Sequence, residues 1–291
     1  MGILKRLAAL PAFNFALLLW KNLQQDYLSL ISAGIAFYFL LAAFPAIGAL
    51  ISLYGLFSDP AFVAGQMDTL GRFLPRAAIA ILSDQARSFA SSNTKILGLG
   101  FFISVTLAIY SATKGVNALI QGLNIAYNLV ERRNLVKVNA AAFLLTFVMM
   151  AYFLLSLSLV AVLPAMAELM AFPRVIENSI LMARWPLLFL MAIIGLEILY
   201  AYGPSWKIPK WNLISYGSFI ATLLWLGLSL VFSVFVTNFA SYNETYGSLS
   251  AVIILLLWFW LSALTILIGA EINATAEQFA QDRISKPAGT E

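Results

Sequence analysis

Thr106, Tyr110, Thr113, Lys114, Asn117, Gln121 and Asn124 recur every three or four residues inside an otherwise apolar stretch, so on a helix they share one face. A face of that kind offers hydroxyl, amide and ammonium groups to a polar solute, a lipid head group or a neighbouring helix. Two carboxylates stand out as well. Glu197 interrupts a second apolar run, and Glu271 ends a third. An isolated charge at such depth costs a few kcal/mol, and pairing of Lys114 with Glu197 or Glu271 would offset part of it. Lys114 also lies only about five residues, roughly 7–8 Å of helix, from the end of its run, so extension of its ammonium to the interface is the second reading.

The chemistry excluded is broader. The chain has no histidine and no cysteine, which removes imidazole and thiolate metal ligands, Cys nucleophiles, His general bases and disulfides. No nucleotide-binding motif or cofactor signature appears, and no metal site or catalytic residue is expected.

The elements that must position these side chains follow from composition. Of 291 residues, 62% are hydrophobic and 10% charged, and the mean hydropathy is +0.91, far outside the range of a soluble domain. A helix needs about 20 apolar residues to cross the hydrocarbon core. Six stretches meet that length: Ser32–Phe57, Ile96–Leu119, Asn139–Pro164, Leu181–Tyr202, Leu213–Thr237 and Ser248–Ala270. Leu7–Trp20 is too short to span, carries Pro11 and Asn14, and lacks a following small-residue cleavage pattern, so it reads as an interfacial helix rather than a signal peptide.

With the N-terminus inside, ten Lys and Arg residues fall on the cytoplasmic side and six outside, four of the six in the single long stretch 58–95. This bias predicts cytoplasmic termini and cytoplasmic 120–138 and 203–212 loops. The 58–95 stretch repeats apolar residues at helical spacing, broken at Gly71 and Pro75. It predicts a short amphipathic helical segment on the outer face, serving as a cap or as a gate or docking surface.

Three further patterns concern packing and access. Gly34, Tyr38, Ala42, Pro45, Gly48, Ser52 and Gly55 line one flank of the first span, permitting close approach and a kink at Pro45. Thr222, Ser229, Ser233 and Thr237 share a side of the fifth. The link after it holds Tyr242, Glu244 and Tyr246 with Gly247, which are either interfacial anchors or the outer mouth of a pathway.

Some runs resemble a known family. These are Gly34-Ile35-Ala36-Phe37-Tyr38 with Phe44-Pro45, Leu123-Asn124-Ile125-Ala126-Tyr127 with Arg132-Arg133, Ser241-Tyr242 with Tyr246-Gly247-Ser248, Leu257-Trp258 and Gly269-Ala270-Glu271-Ile272-Asn273-Ala274. In that order they resemble the BrkB/YihY inner-membrane proteins, once labelled ribonuclease BN-like. The resemblance implies a six-helix bacterial inner-membrane protein with suggested roles in export of envelope lipid or lipopolysaccharide. The ribonuclease label conflicts with the composition, because a metal-dependent phosphodiesterase needs clustered His, Asp and Glu ligands or another acid/base set. The 13 acidic residues are scattered and histidine is absent.

The expectation is an all-α membrane protein. Residues 1–30 form a cytoplasmic or interfacial segment, 31–271 six transmembrane helices, and 272–291 a cytoplasmic tail. It is not an enzyme, binds membrane lipids and no nucleic acid, has an envelope protein as a further candidate partner, and moves or handles envelope lipids along the second span. Alternatives are a channel or secondary transporter for a small solute or ion, and a scaffold. Spans one to three and four to six show no matching broken helices, which weighs against an inverted-repeat transporter.

Overall fold

The computed structural model describes residues 11–57, 94–163, 174–208, 210–211, 213–238 and 248–285. Among them every regular element is helical: α1 (Pro11–Gln25), α2 (Leu28–Phe57), α3 (Thr94–Ala126), α4 (Leu135–Leu157), α5 (Arg174–Tyr202), α6 (Tyr216–Asn238) and α7 (Ser248–Ser285). Six of them, α2 to α7, are long and apolar enough to cross a membrane. Side chains such as Phe102, Ile103, Leu154 and Leu230 lie exposed on their outer faces, as an apolar solvent requires.

The apolar runs locate the spans, and the helices outlast them. α3 continues seven residues past Leu119 to Ala126, and α7 runs through Glu271 to Ser285, for a total of 38 residues. A helix of that length is about 57 Å, well beyond the ~30 Å hydrocarbon core. Polar residues end the hydropathy signal without ending the backbone hydrogen bonding.

The ends are marked by local chemistry. After α3 the Asn128 N–H donates to the Ile125 carbonyl (2.9 Å) and the Leu129 N–H to the Asn124 carbonyl (2.7 Å). Asn128 stands at φ 53°, the left-handed position of a Schellman motif that asparagine tolerates. Asn134 caps α4 by accepting from the Lys137 N–H. A five-residue π-helical turn, Ser158–Val162, follows α4. α5 continues through Pro186, as α2 does through Pro45.

The helices pack as two compact units. The first comprises Met1–Ser32, Val116–Gly227 and Ser262–Glu291, and the second Ala33–Gly115 and Leu228–Leu261. Leu28, Leu119, Ile120, Leu123, Ala142 and Leu267 are buried in the first unit. In it α1 packs on the last turns of α7: Phe15 meets the Phe279 ring edge-on at 6.0 Å, and Asn22 donates to Thr275 at 3.2 Å. The N-terminal helix is thus held by side chains of α7.

In the second unit Phe39 packs against Phe259, and a Cβ at Gly115 would touch the Phe39 ring at 3.0 Å. The small-residue flank of α2 is used unevenly. At Gly48 a Cβ would come 3.3 Å from the Ser104 hydroxyl, whereas at Gly34 it would meet nothing within 4 Å. Gly48 therefore marks a close approach of α2 to α3 and Gly34 does not.

Candidate functional site

The polar residues of the first unit converge where α3, α5 and α7 meet the links between helices. α3 delivers Asn124, buried at 5% exposure. Its amide donates to Glu131 at 2.9 Å and its carbonyl accepts the Ser205 N–H at 2.7 Å, so one side chain ties together two links. Arg133 closes the arrangement, donating to Glu131 (2.7 Å) and to the Gly203 carbonyl (2.9 Å). The Arg133 guanidinium, with help from Asn124 and Ser205, lowers the Glu131 carboxyl to about 2.

Beyond this lock lies a cavity of about 630 Å³. One wall is aromatic: Tyr127 meets Trp206 at 5.0 Å and Tyr200 at 6.5 Å between ring centroids. The Trp206 indole donates to the Tyr200 carbonyl, and the Tyr200 hydroxyl donates to the Ile266 carbonyl. Opposite stands the start of α6. There Ser215 and Ser218 cap each other's backbone N–H at 3.2 Å, and the Ser215 N–H also donates to Glu197 at 2.5 Å. A carboxylate at this helix start is favoured by the macrodipole. Asn273 on α7 joins the walls, donating to Ser215 Oγ (2.9 Å) and the Tyr127 hydroxyl (3.3 Å) and accepting from the Gly217 N–H (2.8 Å).

At the rim Lys210 pairs with Glu277 and lies 4.3 Å from the Trp206 ring centroid. Ile214, Tyr216 and Phe219 also line the cavity and are well exposed. Burial foremost, together with Glu197, Glu277 and Glu271 nearby, raises the Tyr127 phenol well above its ordinary range. It is a neutral ring and hydrogen-bond partner at any physiological pH. The cavity therefore combines aromatic faces, two carboxylates, an amide and one ammonium with an apolar lip, which suits an amphiphile with a charged head.

The residues singled out in the sequence separate in the structure. Glu197 lines the cavity; Tyr110, Lys114, Asn117, Gln121, Asn124 and Glu271 do not. On α3 the stripe is largely satisfied by helices: Thr106 and Thr113 bond back to the Phe102 and Ile109 carbonyls, Asn117 donates to Asn139 of α4 at 3.0 Å, and Gln121 donates to Asn117. Tyr110 is 61% exposed. The expected pairing of Lys114 with Glu197 or Glu271 is not among the ion pairs of the described residues, which are Arg133–Glu131 and Lys210–Glu277. Lys114 instead lies over the ring of Tyr110, one turn back, at 5.3 Å; a partner at i−4 on the same helix needs no tertiary arrangement. Glu271 is fully buried beside Thr275 and Asp26. Tyr242, Glu244 and Tyr246, and all but the last two positions of the 58–95 segment, lie outside the described residues.

Sequence reasoning missed Asn273, Tyr127, Trp206 and Lys210 as site residues. Asn273 and Tyr127 were visible only inside family-like motifs, and Trp206 and Lys210 only as parts of a link.

Six apolar spans and an inward cluster of polar and aromatic side chains define a polytopic α-helical membrane protein. The chain belongs to the BrkB family: the family described as Virulence factor BrkB matches residues 19–290. It is 29% identical over 249 residues to the ribonuclease-like protein YfkH of Bacillus subtilis, covering 84% of this chain and 88% of that one. It is similar to UPF0761 membrane proteins of Aeromonas salmonicida (25% identity, 91% and 90% coverage) and Haemophilus influenzae (23%, 92% and 97%). No solved structure matches it.

Proposed function

We propose that this membrane protein handles envelope lipids without chemical conversion, taking a lipid head group into the cavity between Tyr127, Glu197, Trp206, Lys210 and Asn273. The supporting observation is the cavity's two-sided character: Lys210 at the rim gives one of its three donors to Glu277 and can meet a phosphate with another, the aromatic wall and Glu197 can meet an ammonium, and exposed Ile214, Tyr216 and Phe219 continue into the apolar exterior. The polar pathway in this reading runs through the cavity rather than along α3. The ribonuclease-like name of one relative is not carried over in this reading, which rests on the chain's composition: it has no histidine, and its 13 acidic residues are scattered along the sequence.

Binding tests this reading. A water-soluble short-chain phosphatidylethanolamine should bind the purified protein, and the matching diacylglycerol, which has no head group, should not. Lys210→Ala should weaken binding roughly tenfold, the loss of one charge-assisted hydrogen bond. Equal binding of both compounds, or an unchanged Lys210→Ala variant, would refute the reading.

In this reading the cavity faces the cytoplasm from the bacterial inner membrane and both termini lie inside, an orientation that the Lys and Arg bias supports. Because the chain has no cysteine, Lys207→Cys gives a single label site. A membrane-impermeant maleimide should reach it in inverted vesicles and not in intact spheroplasts; the reverse pattern would invert the topology.

A further inference from the structure

Asp26, in the turn between α1 and α2, and Glu271, in the middle of α7, bring their carboxyls within hydrogen-bonding reach of each other. Glu271 is fully buried. One oxygen of each carboxyl, Asp26 Oδ2 and Glu271 Oε2, is buried with no hydrogen-bond partner. The neutral groups beside them are few. Thr275 donates to Glu271 Oε1 at a long 3.4 Å, and the Asn22 amide, which lies beside the Glu271 carboxyl, donates to Thr275 and, at 3.5 Å, to Gln278. The lock and the cavity described above use neither acid.

Among the described residues no positive charge serves this pair. The ion pairs of the described residues are elsewhere, Lys21 on α1 is exposed, and Arg133 and Lys210 are engaged by Glu131 and Glu277. Of the other titratable groups nearby, Tyr27 is exposed, and Tyr127 and Glu277 add no cation. Two carboxylates in contact, Glu271 fully buried and Asp26 half-buried with one oxygen shielded from water, and with no basic neighbour among the described residues, cannot both stay ionised uncompensated. The two orphan oxygens and the Thr275 hydroxyl form a small set of hard oxygen ligands: a shared proton needs no more, whereas Na⁺ would complete its shell with water and a divalent ion, which takes six or more, would need water for most of its shell.

We propose that Asp26 and Glu271 form an internal site for one monovalent cation, a proton or Na⁺, held between the two orphan carboxyl oxygens and joining α1 to α7. Burial raises the Asp26 carboxyl above its ordinary range, partly offset by its contact with Glu271. The sign follows: the folded state binds a proton more tightly than the unfolded state, so this contribution is complete at low pH and is lost as pH rises through the raised value.

The full-length protein in detergent, melted between pH 5.5 and 9 at constant ionic strength in choline chloride, tests the site. The wild type should lose roughly 3–6 °C of melting temperature as pH rises. Recovery of that loss at high pH by Na⁺ identifies Na⁺ as an occupant; no recovery by Na⁺ leaves the proton as the occupant. Glu271→Gln and Asp26→Asn, each removing one charge of the pair, should melt higher than wild type at pH 9 and lose most of the pH and Na⁺ response. Two variants keep the test valid if one fails to fold. A wild type indifferent to both pH and Na⁺, folded variants that keep the full response, or stabilisation by Mg²⁺ or Ca²⁺ in preference to Na⁺ would overturn the proposal.

Discussion

Gly217→Ala is expected to destabilise the folded protein by about 3 kcal/mol, the upper range for overpacking, and to lower its yield from membranes. Gly217 stands at the start of α6 where that helix meets α7. A Cβ there would overlap the Gly269 carbonyl oxygen and lie 2.7 Å from the Asn273 side chain. The first obstacle is backbone, which has no rotamer to give, so the helices must separate. Gly269→Ala should act similarly, since its Cβ would collide with the Tyr200 hydroxyl and approach Ala221 Cβ and the Gly217 carbonyl oxygen, both at 2.7 Å. Close backbone approach through small residues is how helices associate in lipid. Gly34→Ala and Gly227→Ala are the controls: nothing lies within 4 Å of either added methyl, and alanine is the better helix former by up to about 1 kcal/mol. Melting temperatures that fall for the first pair and hold or rise for the second would check the assignment.

Asn124→Ala should cost about 1–3 kcal/mol, the range for stranding a buried polar group. The amide joins Glu131 to the Ser205 N–H, and alanine leaves that N–H without its acceptor. The change should loosen both links at once and increase proteolysis between residues 128 and 134 and between 203 and 213. Acid should weaken the same lock. Because the Glu131 carboxyl is lowered to about 2, its contribution is present above the ordinary carboxylate range and is lost as pH falls toward 2. Glu131→Gln should remove that acid sensitivity.

The fold was legible in the sequence where hydrophobicity alone decides it. Each of the six apolar runs became a helix, because a run of about 20 continuously apolar residues can satisfy its own backbone in lipid only by bonding within itself. Their ends were less legible, since α3 and α7 continue as helices through polar residues to Ala126 and Ser285. Glu197 and Glu271 stood out as carboxylates in apolar runs, and both are buried at 2% exposure or less. Their partners were hidden because tertiary packing supplies them: Ser215 meets Glu197 across the link after α5, and Asp26 meets Glu271 from more than 240 residues away in the chain. Lys114 is the opposite case. Of its two readings, pairing with Glu197 or Glu271 and extension to the interface, the first does not occur among the described residues, where Lys114 lies over Tyr110 one turn back.

Transbilayer lipid movement tests the central claim most directly. The protein would be reconstituted in liposomes carrying fluorescent phosphatidylethanolamine, beside Ala280→Trp, whose indole would fill the cavity from its rim, with ion flux recorded in parallel. The account predicts lipid movement well above that of protein-free vesicles for the wild type, a return to that background for the folded Ala280→Trp variant, and no matching ion current. Ion flux without lipid movement, or lipid movement undiminished by Ala280→Trp, would contradict it.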